Sequence, residues 1–244
     1  MTEWATRLVN RLGPAETLRL TNRMLAIIDE VSANRWDAAK QRAATMPGGV
    51  RPEKIDVLTS GFARELGAAG AAAGAAAAAP AVGTGATLAA TVGELVWFTG
   101  RAGDLVLTIA ALHGRTDPSV EERRAWVLAV LIYGSSARDG FSRAVNEATT
   151  GMAVASDGRV PVATIQMANR VMSRALVRKY GSRRGLVALG RLIPAGIGAA
   201  VGGTTNYLAV KALARNADQF FARLPYSAID VGSTDITGRQ LAAD

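Results

Sequence analysis

Two long stretches without a charged residue limit what this chain can fold into: they run from Leu66 to Gly93 and from Leu192 to Val210. Their length alone makes both of them candidates for membrane-spanning helices. Pro80 and the glycines beside it divide the first stretch into halves of about 14 residues, each about 21 Å long as a helix, whereas a hydrocarbon core is about 30 Å thick. The few strongly apolar residues of this stretch supply only about 2 kcal/mol for insertion. We therefore do not expect a conventional membrane span.

Small residues in both stretches favour close contact between helices. Gly67, Gly70 and Gly74 follow the small-xxx-small spacing that lets two helix backbones approach each other. Pro80 lies in a turn within the first stretch, and Pro194 separates two helices in the second. Helix-packing positions are thus predicted throughout these segments, at Gly67, Gly70, Gly74, Pro80, Pro194, Gly198 and Gly202. Two interpretations stay open: the hairpins form the interior of a soluble bundle, or they open to meet lipid.

Helical signals also dominate the rest of the chain. Leu18, Leu25, Ile28 and Trp36 recur near one face of an expected helix, and Pro52 is placed to begin the next one. Asp117 is an expected N-cap ahead of a helix that is apolar on all sides from Trp126 to Tyr133. Further helices are expected over residues 4–12, 85–112, 137–149, 160–180, 182–193 and 196–224. No strand pattern is evident.

The predicted fold class is therefore all-α, a multi-helix bundle with two Ala/Gly-rich helical hairpins. We divide the chain into an N-terminal helical segment over residues 1–50, a helical domain over 51–225 and an irregular C-terminal tail over 226–244. At 244 residues the chain is long enough for one well-buried core. No apolar secretory segment follows Met1, so a cytoplasmic location is expected.

Positive charge is concentrated in one part of the chain. The formal net charge is +8, yet no Asp or Glu occurs from Gly158 to Ala217. Arg170, Arg174 and Arg178 recur every four residues and form a stripe on one helix face. The predicted membrane- or anion-binding residues are Arg170, Arg174, Arg178, Lys179, Arg183, Arg184, Arg191, Lys211 and Arg215. Such an asymmetry indicates a polyanionic partner, either a membrane or a nucleic acid.

Three charged residues stand within an otherwise apolar helix. Glu94 and Arg101 lie two turns apart on one face, and Arg101 and Asp104 form an i, i+3 pair. Buried charges require partners because the loss of hydration costs several kcal/mol per ion. We predict either a structural ion network that joins helices or a polar site that binds a headgroup or a partner helix.

Sequence motifs resemble those of the EcsC family of bacterial proteins over residues 55–225. The resemblance rests on the segment from Gly93 to Gly114, then Asp117-Pro118, the segment from Ile193 to Tyr207, and Asp218-Gln-Phe-Phe221. It implies an α-helical, often membrane-associated protein and supplies no catalytic residues. The positions that match recurring features of the family are Glu94, Arg101, Asp104, Pro194, Gly198, Gly202, Asn206 and Tyr207. Asn206 and Tyr207 join the predicted polar or partner site on this basis.

Motifs for most catalytic chemistries are absent from the sequence. The chain has no cysteine and a single histidine, His113, which excludes disulfides, thiolate sites and histidine-cluster metal sites. His113 is interpreted as a structural or solvated residue at a helix end. The glycine motifs lack the Lys-Ser/Thr of a P-loop and the preceding strand of a dinucleotide site. No catalytic, cofactor-binding or metal-binding residue is predicted.

These features favour a non-catalytic helical protein that associates with the inner leaflet of a membrane, or with a membrane-protein partner, for scaffolding, regulation or lipid handling. The basic segment and the glycine-rich hairpins are the expected contact regions. The alternative is a nucleic-acid-binding protein that uses the basic stripe. Aromatic residues make up only 5% of the chain, which counts against that alternative. An unrecognised enzyme, such as a hydrolase, is the third interpretation.

Overall fold

A computed structural model of the chain describes residues 14–77, 84–149, 159–180, 198–224 and 227–229. The described residues form an all-α bundle, as predicted. Its helices in chain order are α1 (Pro14–Asn34), α2 (Trp36–Thr45), α3 (Arg51–Ala77), α4 (Thr84–Leu112), α5 (Val120–Tyr133), α6 (Ala137–Ala148), α7 (Val162–Tyr180) and α8 (Gly198–Ala222). A single 3-10 turn, Gly134–Ser136, joins α5 to α6. The helices predicted over residues 4–12 and 182–193 lie outside the described residues.

Helix α5 lies at the centre of the bundle. Every residue from Ala125 to Val130 is buried, so this helix is covered on all sides, as its apolar sequence predicts. It contacts α1, α4, α6, α7 and α8. The Trp126 ring meets the ring of Phe221 edge to face, with a centroid separation of 5.3 Å, and lies 6.4 Å from that of Trp36. Aromatic pairs of this geometry stabilise a core beyond the area they bury.

The first turn of α5 is capped by Ser119, and the prediction that Asp117 is the N-cap is wrong. The Ser119 hydroxyl accepts from the backbone N–H of Glu122 at 3.2 Å, and the Glu122 carboxylate accepts from the Ser119 N–H at 2.9 Å. This reciprocal pair is a capping box. The helix therefore begins at Val120, two residues later than expected, where Glu122 completes the capping box with Ser119.

Two short strands were not predicted from the sequence. Strand β1 (Arg159–Pro161) pairs in parallel with β2 (Ser227–Ile229), with Val160 opposite Ala228. The interpretations of Val160 as helical and of residues 227–229 as part of an irregular tail are therefore wrong. Pro161 restricts the preceding residue to extended conformations, and the Val160 side chain is fully buried. Residues 230–244 lie outside the described part of the chain.

The N-terminal helices belong to the same core as the helices that follow. Ile28 and Val31 of α1 are fully buried and join one hydrophobic cluster with α4 and α5. The predicted division at residue 50 therefore does not separate two cores. Leu18 departs from its prediction, because its side chain is 47% exposed. The polar residues Thr17 and Thr21 occupy the buried face there, and the Thr21 hydroxyl donates to the Thr17 carbonyl at 2.9 Å.

Helix α3 packs more extensively against α8 than against α4, its neighbour in sequence. The first predicted hairpin, α3 and α4, is therefore not a separate unit. Helix α8, which begins with the second glycine-rich segment, packs against α3. Pro80 and Pro194 lie outside the described residues. Gly198 and Gly202 lie within α8, and Gly70 and Gly74 lie within α3.

Candidate functional site

The predicted arginine stripe lies on the exposed face of α7. Arg170, Arg174 and Arg178 are exposed, whereas Met172 and Leu176 are fully buried. The helical repeat of 3.6 residues places these two sets on opposite faces. In the described part of the chain no carboxylate forms an ion pair with any of the three arginines, in contrast to Arg35, Arg101 and Arg124. We call the three exposed residues, Arg170, Arg174 and Arg178, the α7 arginine face.

Lys179 has a structural role that its place in the basic segment did not predict. Its ammonium group donates to the Ile132 carbonyl at the end of α5. The Tyr180 hydroxyl donates to the preceding carbonyl, that of Leu131, at 3.2 Å. The last carbonyls of a helix lack intrahelical donors, so these two side chains satisfy groups that would otherwise be unpaired. Burial lowers the pKa of Lys179 and raises that of Tyr180 to about 12.

A polar cleft lies between α6 and α7, beside the arginine face. It has a volume of about 260 Å³, and its charged lining residues are Arg143, Glu147, Arg174 and Arg178. Tyr133, the last residue of α5, forms part of the wall. Two of the three arginines were predicted as anion-binding residues. Arg143 was not, because it lies on another helix and only the packing of α6 against α7 brings it there.

Tyr133 is positioned by a glycine on the neighbouring helix. A β-carbon at Gly140 would overlap the Tyr133 ring, so only glycine allows the ring to lie against α6. Gly134, directly after Tyr133, has φ +57°, a conformation that ends α5 and turns the chain towards α6. Burial raises the pKa of Tyr133, while the nearby Arg143 lowers it to a smaller extent. The hydroxyl is therefore protonated at neutral pH and can donate a hydrogen bond.

The remaining basic residues of the prediction have mixed outcomes. Lys211 and Arg215 are exposed on α8. Arg183, Arg184 and Arg191 lie outside the described residues. The described residues of the basic segment are thus the α7 arginine face, Lys179 of α7, whose ammonium group contacts the end of α5, and two exposed residues of α8.

An ion network joins α1, α3 and α4, and it includes two of the three charged residues predicted for it. Arg101 donates from Nη1 to Asp104 Oδ2 at 2.8 Å and from Nη2 to the Glu65 carboxylate. Asp104 Oδ2 also accepts from Arg35 Nη1 at 3.2 Å, and Arg35 in turn pairs with Glu30 at 3.0 Å. The chain of contacts runs from Glu30 through Arg35, Asp104 and Arg101 to Glu65.

Asp104 is the most buried member of this ion network. Its side chain is 5% exposed, compared with 19% for Arg101 and 38% for Arg35. Two guanidinium groups surround this one carboxylate, which offsets the loss of its hydration. The guanidinium carbon of Arg101 also lies 4.5 Å from the centroid of the Phe62 ring, a cation–π contact. This geometry fits a structural role for Arg101 and Asp104 in holding helices together.

The contacts of the ion network do not include the other predicted members of the polar site. The side chains of Glu94, Asn206 and Tyr207 lie outside the described part of the structure. The sequence prediction missed Glu65, Arg35 and Glu30. Arg35 and Glu30 lie five residues apart, which gave a weak local signal, whereas the contact of Arg101 with Glu65 spans 36 residues.

His113 forms a half-buried pair with Asp218. Its Nε2 lies 2.8 Å from Asp218 Oδ1, and the side chain of His113 is only 4% exposed. Its ring also packs against Phe221, with centroids 5.9 Å apart. Burial lowers the pKa of His113, the contact with Asp218 raises it in part, and the charges of Arg51 and Arg115 lower it further. The pair joins the end of α4 to α8, which fits the structural interpretation of this residue.

Close helix contacts at glycine occur at positions that the sequence analysis did not select. A β-carbon at Gly103 would lie 2.8 Å from Val31 Cγ1, so α1 and α4 approach closely there. Gly140 meets Tyr133 in the same way. At Gly67, a β-carbon would have no neighbour within 4 Å among the described residues. The predicted packing role of Gly67 stays a prediction, because the side chains of residues 198–207 at the start of α8, a helix that packs against α3, lie outside the described part of the structure.

Comparisons of the chain with protein-family models, with curated proteins and with solved structures find no match. The resemblance to the EcsC family therefore stays a prediction. None of the helices in the described ranges has both the length and the apolarity needed to cross a membrane. Within the same residues, no group of three or more His, Asp or Glu side chains is arranged to hold a metal ion.

Proposed function

We propose that the protein is a non-catalytic peripheral membrane protein that binds the anionic inner leaflet. The proposal rests on one observation: the chain exposes three arginines on one face of α7 and also exposes large apolar side chains on α4 and α8. Leu176 and Tyr180 of α7 line an apolar cavity together with Phe98 of α4 and Ala209 of α8. Trp97, which precedes Phe98, is 37% exposed, and Leu208, which precedes Ala209, is 59% exposed.

The combination of cationic and apolar groups is typical of proteins that bind a membrane surface. Tryptophan is favoured at the boundary between headgroups and hydrocarbon, where its ring meets apolar and polar surroundings together. Each Lys or Arg near an anionic membrane contributes about 1 kcal/mol. The α7 arginine face would then supply about 3 kcal/mol, or roughly a hundredfold in affinity. Its exposed position supports the proposal because binding requires no rearrangement of the core.

A nucleic-acid partner would also attract the α7 arginine face but would not use the exposed apolar residues. Flotation with lipid vesicles is therefore the primary test, first with phosphatidylcholine alone and then with phosphatidylglycerol added. We expect binding to the anionic vesicles only, with weaker binding as salt is raised. Equal binding to both vesicle types, or binding to neither, would contradict the proposal.

A pair of matched variants tests the location of the contact. The first replaces Arg170, Arg174 and Arg178 by Gln, and we expect it to lose most of the binding. The second replaces the exposed residues Arg19, Arg23 and Arg64 by Gln, which removes the same charge from α1 and α3. The affinity of this control for anionic vesicles should stay within a few-fold of wild type, because only charges close to the membrane surface contribute strongly. Equal losses in both variants would show that net charge, and not the α7 arginine face, determines binding.

A further inference from the structure

The cleft between α6 and α7 is a concave part of the basic surface. Arg174 and Arg178 line it from α7, and Arg143 lines it from α6. A flat row of arginines attracts any anion, whereas guanidinium groups that converge from two helices can hold one anion through several hydrogen bonds. Guanidinium groups bind phosphate oxygens in bidentate pairs, which adds geometric selection to the charge attraction.

The residues around the cleft are held in place by their own contacts. Gly140 allows the Tyr133 ring to lie against α6, and the protonated hydroxyl of Tyr133 is an additional donor in the wall. Arg143 Nε donates to the Asp139 carbonyl at 3.4 Å within α6. Lys179 lies in an adjoining pocket with Arg178 and Tyr133, and its ammonium group is held at the end of α5. The cleft is therefore formed by the packing of three helices.

We propose that this cleft binds a terminal phosphate group, a phosphomonoester, and thereby selects lipids whose headgroup carries one; this inference rests on the proposed membrane function. Three arginines and the carboxylate of Glu147 give the lining a net charge of +2. A phosphomonoester carries about −1.5 to −2 charge at pH 7 and presents three acceptor oxygens. A phosphodiester headgroup has a single negative charge and two free oxygens.

The size of the cleft agrees with recognition of one small group. Its volume of about 260 Å³ lies below the roughly 300–1,000 Å³ of pockets that enclose whole small molecules. A phosphate group fits into this space, while the rest of a lipid would remain outside.

The experiment compares two vesicle types at equal surface potential. One contains phosphatidate, with a terminal phosphate, and the other contains enough phosphatidylglycerol to match its zeta potential. We expect wild-type protein to bind phosphatidate vesicles roughly tenfold more tightly, the effect of about one additional charge-assisted contact. Binding to neither vesicle type would contradict the proposed membrane function. Equal binding to both would leave that function standing and would contradict the selection of lipids with a terminal phosphate.

Two single variants locate the selection. Arg143→Gln removes a lining residue of the cleft, and we expect it to abolish the preference for phosphatidate. Arg170→Gln removes the same charge from α7 outside the cleft, and it should weaken binding to both vesicles equally while the tenfold preference is kept. Thermal melts of both proteins verify folding. A preference that survives Arg143→Gln, or that disappears in Arg170→Gln, overturns the assignment to the cleft.

A soluble compound distinguishes a lipid from a free phosphate as the source of the group. We titrate glycerol 3-phosphate against wild type and Arg143→Gln and monitor the amide NMR signals of α6 and α7. If vesicles show no preference but glycerol 3-phosphate shifts these signals in wild type only, the cleft binds a soluble phosphomonoester. If neither probe distinguishes the two proteins, the inference is wrong.

Discussion

His113 Nε2 and Asp218 Oδ1 lie 2.8 Å apart and join the end of α4 to α8. The ring is buried between this carboxylate, Phe221 and the positive charges of Arg51 and Arg115. Because burial outweighs the effect of Asp218, the pKa of His113 is lowered from its ordinary value of 6.5. The neutral ring therefore prevails in the folded protein, and its Nε2–H can donate to Asp218.

The first prediction concerns the pH dependence of stability. A histidine with a lowered pKa binds fewer protons in the folded than in the unfolded state, so the free energy of unfolding falls as the pH decreases below about 6.5. One such group accounts for at most about 1.4 kcal/mol per pH unit. We expect His113→Gln to show a smaller fall between about pH 7 and pH 5.5 in urea denaturation. An unchanged slope would show that His113 titrates alike in both states.

The second prediction concerns the ion network. Arg101→Met leaves Glu65 without this partner, while the buried Asp104 keeps Arg35, so the loss should be about 2–3 kcal/mol, below the 3–5 kcal/mol of a fully broken buried pair. The control is Arg124→Met, which removes a more exposed pair with Asp29. That change should cost less than about 1 kcal/mol. Urea denaturation measures both, and equal losses would argue against a structural role of the network.

The third prediction contrasts three glycines. Gly103→Ala places a methyl group against Val31, and Gly140→Ala places one against the Tyr133 ring. Overpacking of this kind costs about 1–3 kcal/mol. Gly67→Ala meets no described atom within 4 Å and should be neutral or stabilise the protein by up to about 1 kcal/mol, because alanine favours a helix over glycine. Thermal melts of the three variants measure these changes, and a destabilised Gly67→Ala protein would contradict this expectation.

The fourth prediction concerns the start of α5. Ser119→Ala removes a side-chain acceptor for the Glu122 N–H and should lower the free energy of unfolding by about 1 kcal/mol. Asp117→Ala, two residues earlier, should change it by no more than about 0.5 kcal/mol, as for an ordinary surface substitution. Chemical denaturation separates these values. A larger effect at Asp117 than at Ser119 would support the original sequence-based assignment of the N-cap.

The fifth prediction separates the apolar and electrostatic parts of the proposed membrane contact. Replacing Trp97 and Leu208 by Ser should weaken binding to anionic vesicles at every salt concentration, because the burial of apolar surface is not screened by salt. The Gln variant of the α7 arginine face should instead lose the salt dependence. Flotation across a salt series measures both. If the Trp97/Leu208 variant also loses its salt dependence, the two groups do not act as separate contacts.

The helical periodicity of the sequence by itself determined the features that involve residues close together in the chain. The face formed by Arg170, Arg174 and Arg178 follows from a repeat of four residues on one helix. The pairing of Arg101 with Asp104 follows from a spacing of three residues. The burial of Trp126 follows from an apolar segment with no polar face. Each of these features needs only the geometry of a single helix.

Tertiary packing alone decided which distant residues meet. Asp218 reaches His113 across 105 residues, Arg35 reaches Asp104 across 69, and Arg143 enters the cleft from a different helix than Arg174 and Arg178. Helical periodicity predicts which face of a helix is buried, but it does not specify the helix that covers it. The close approach at Gly103 has the same cause: a glycine permits contact between helices, and the packing of the whole core determines where that contact forms.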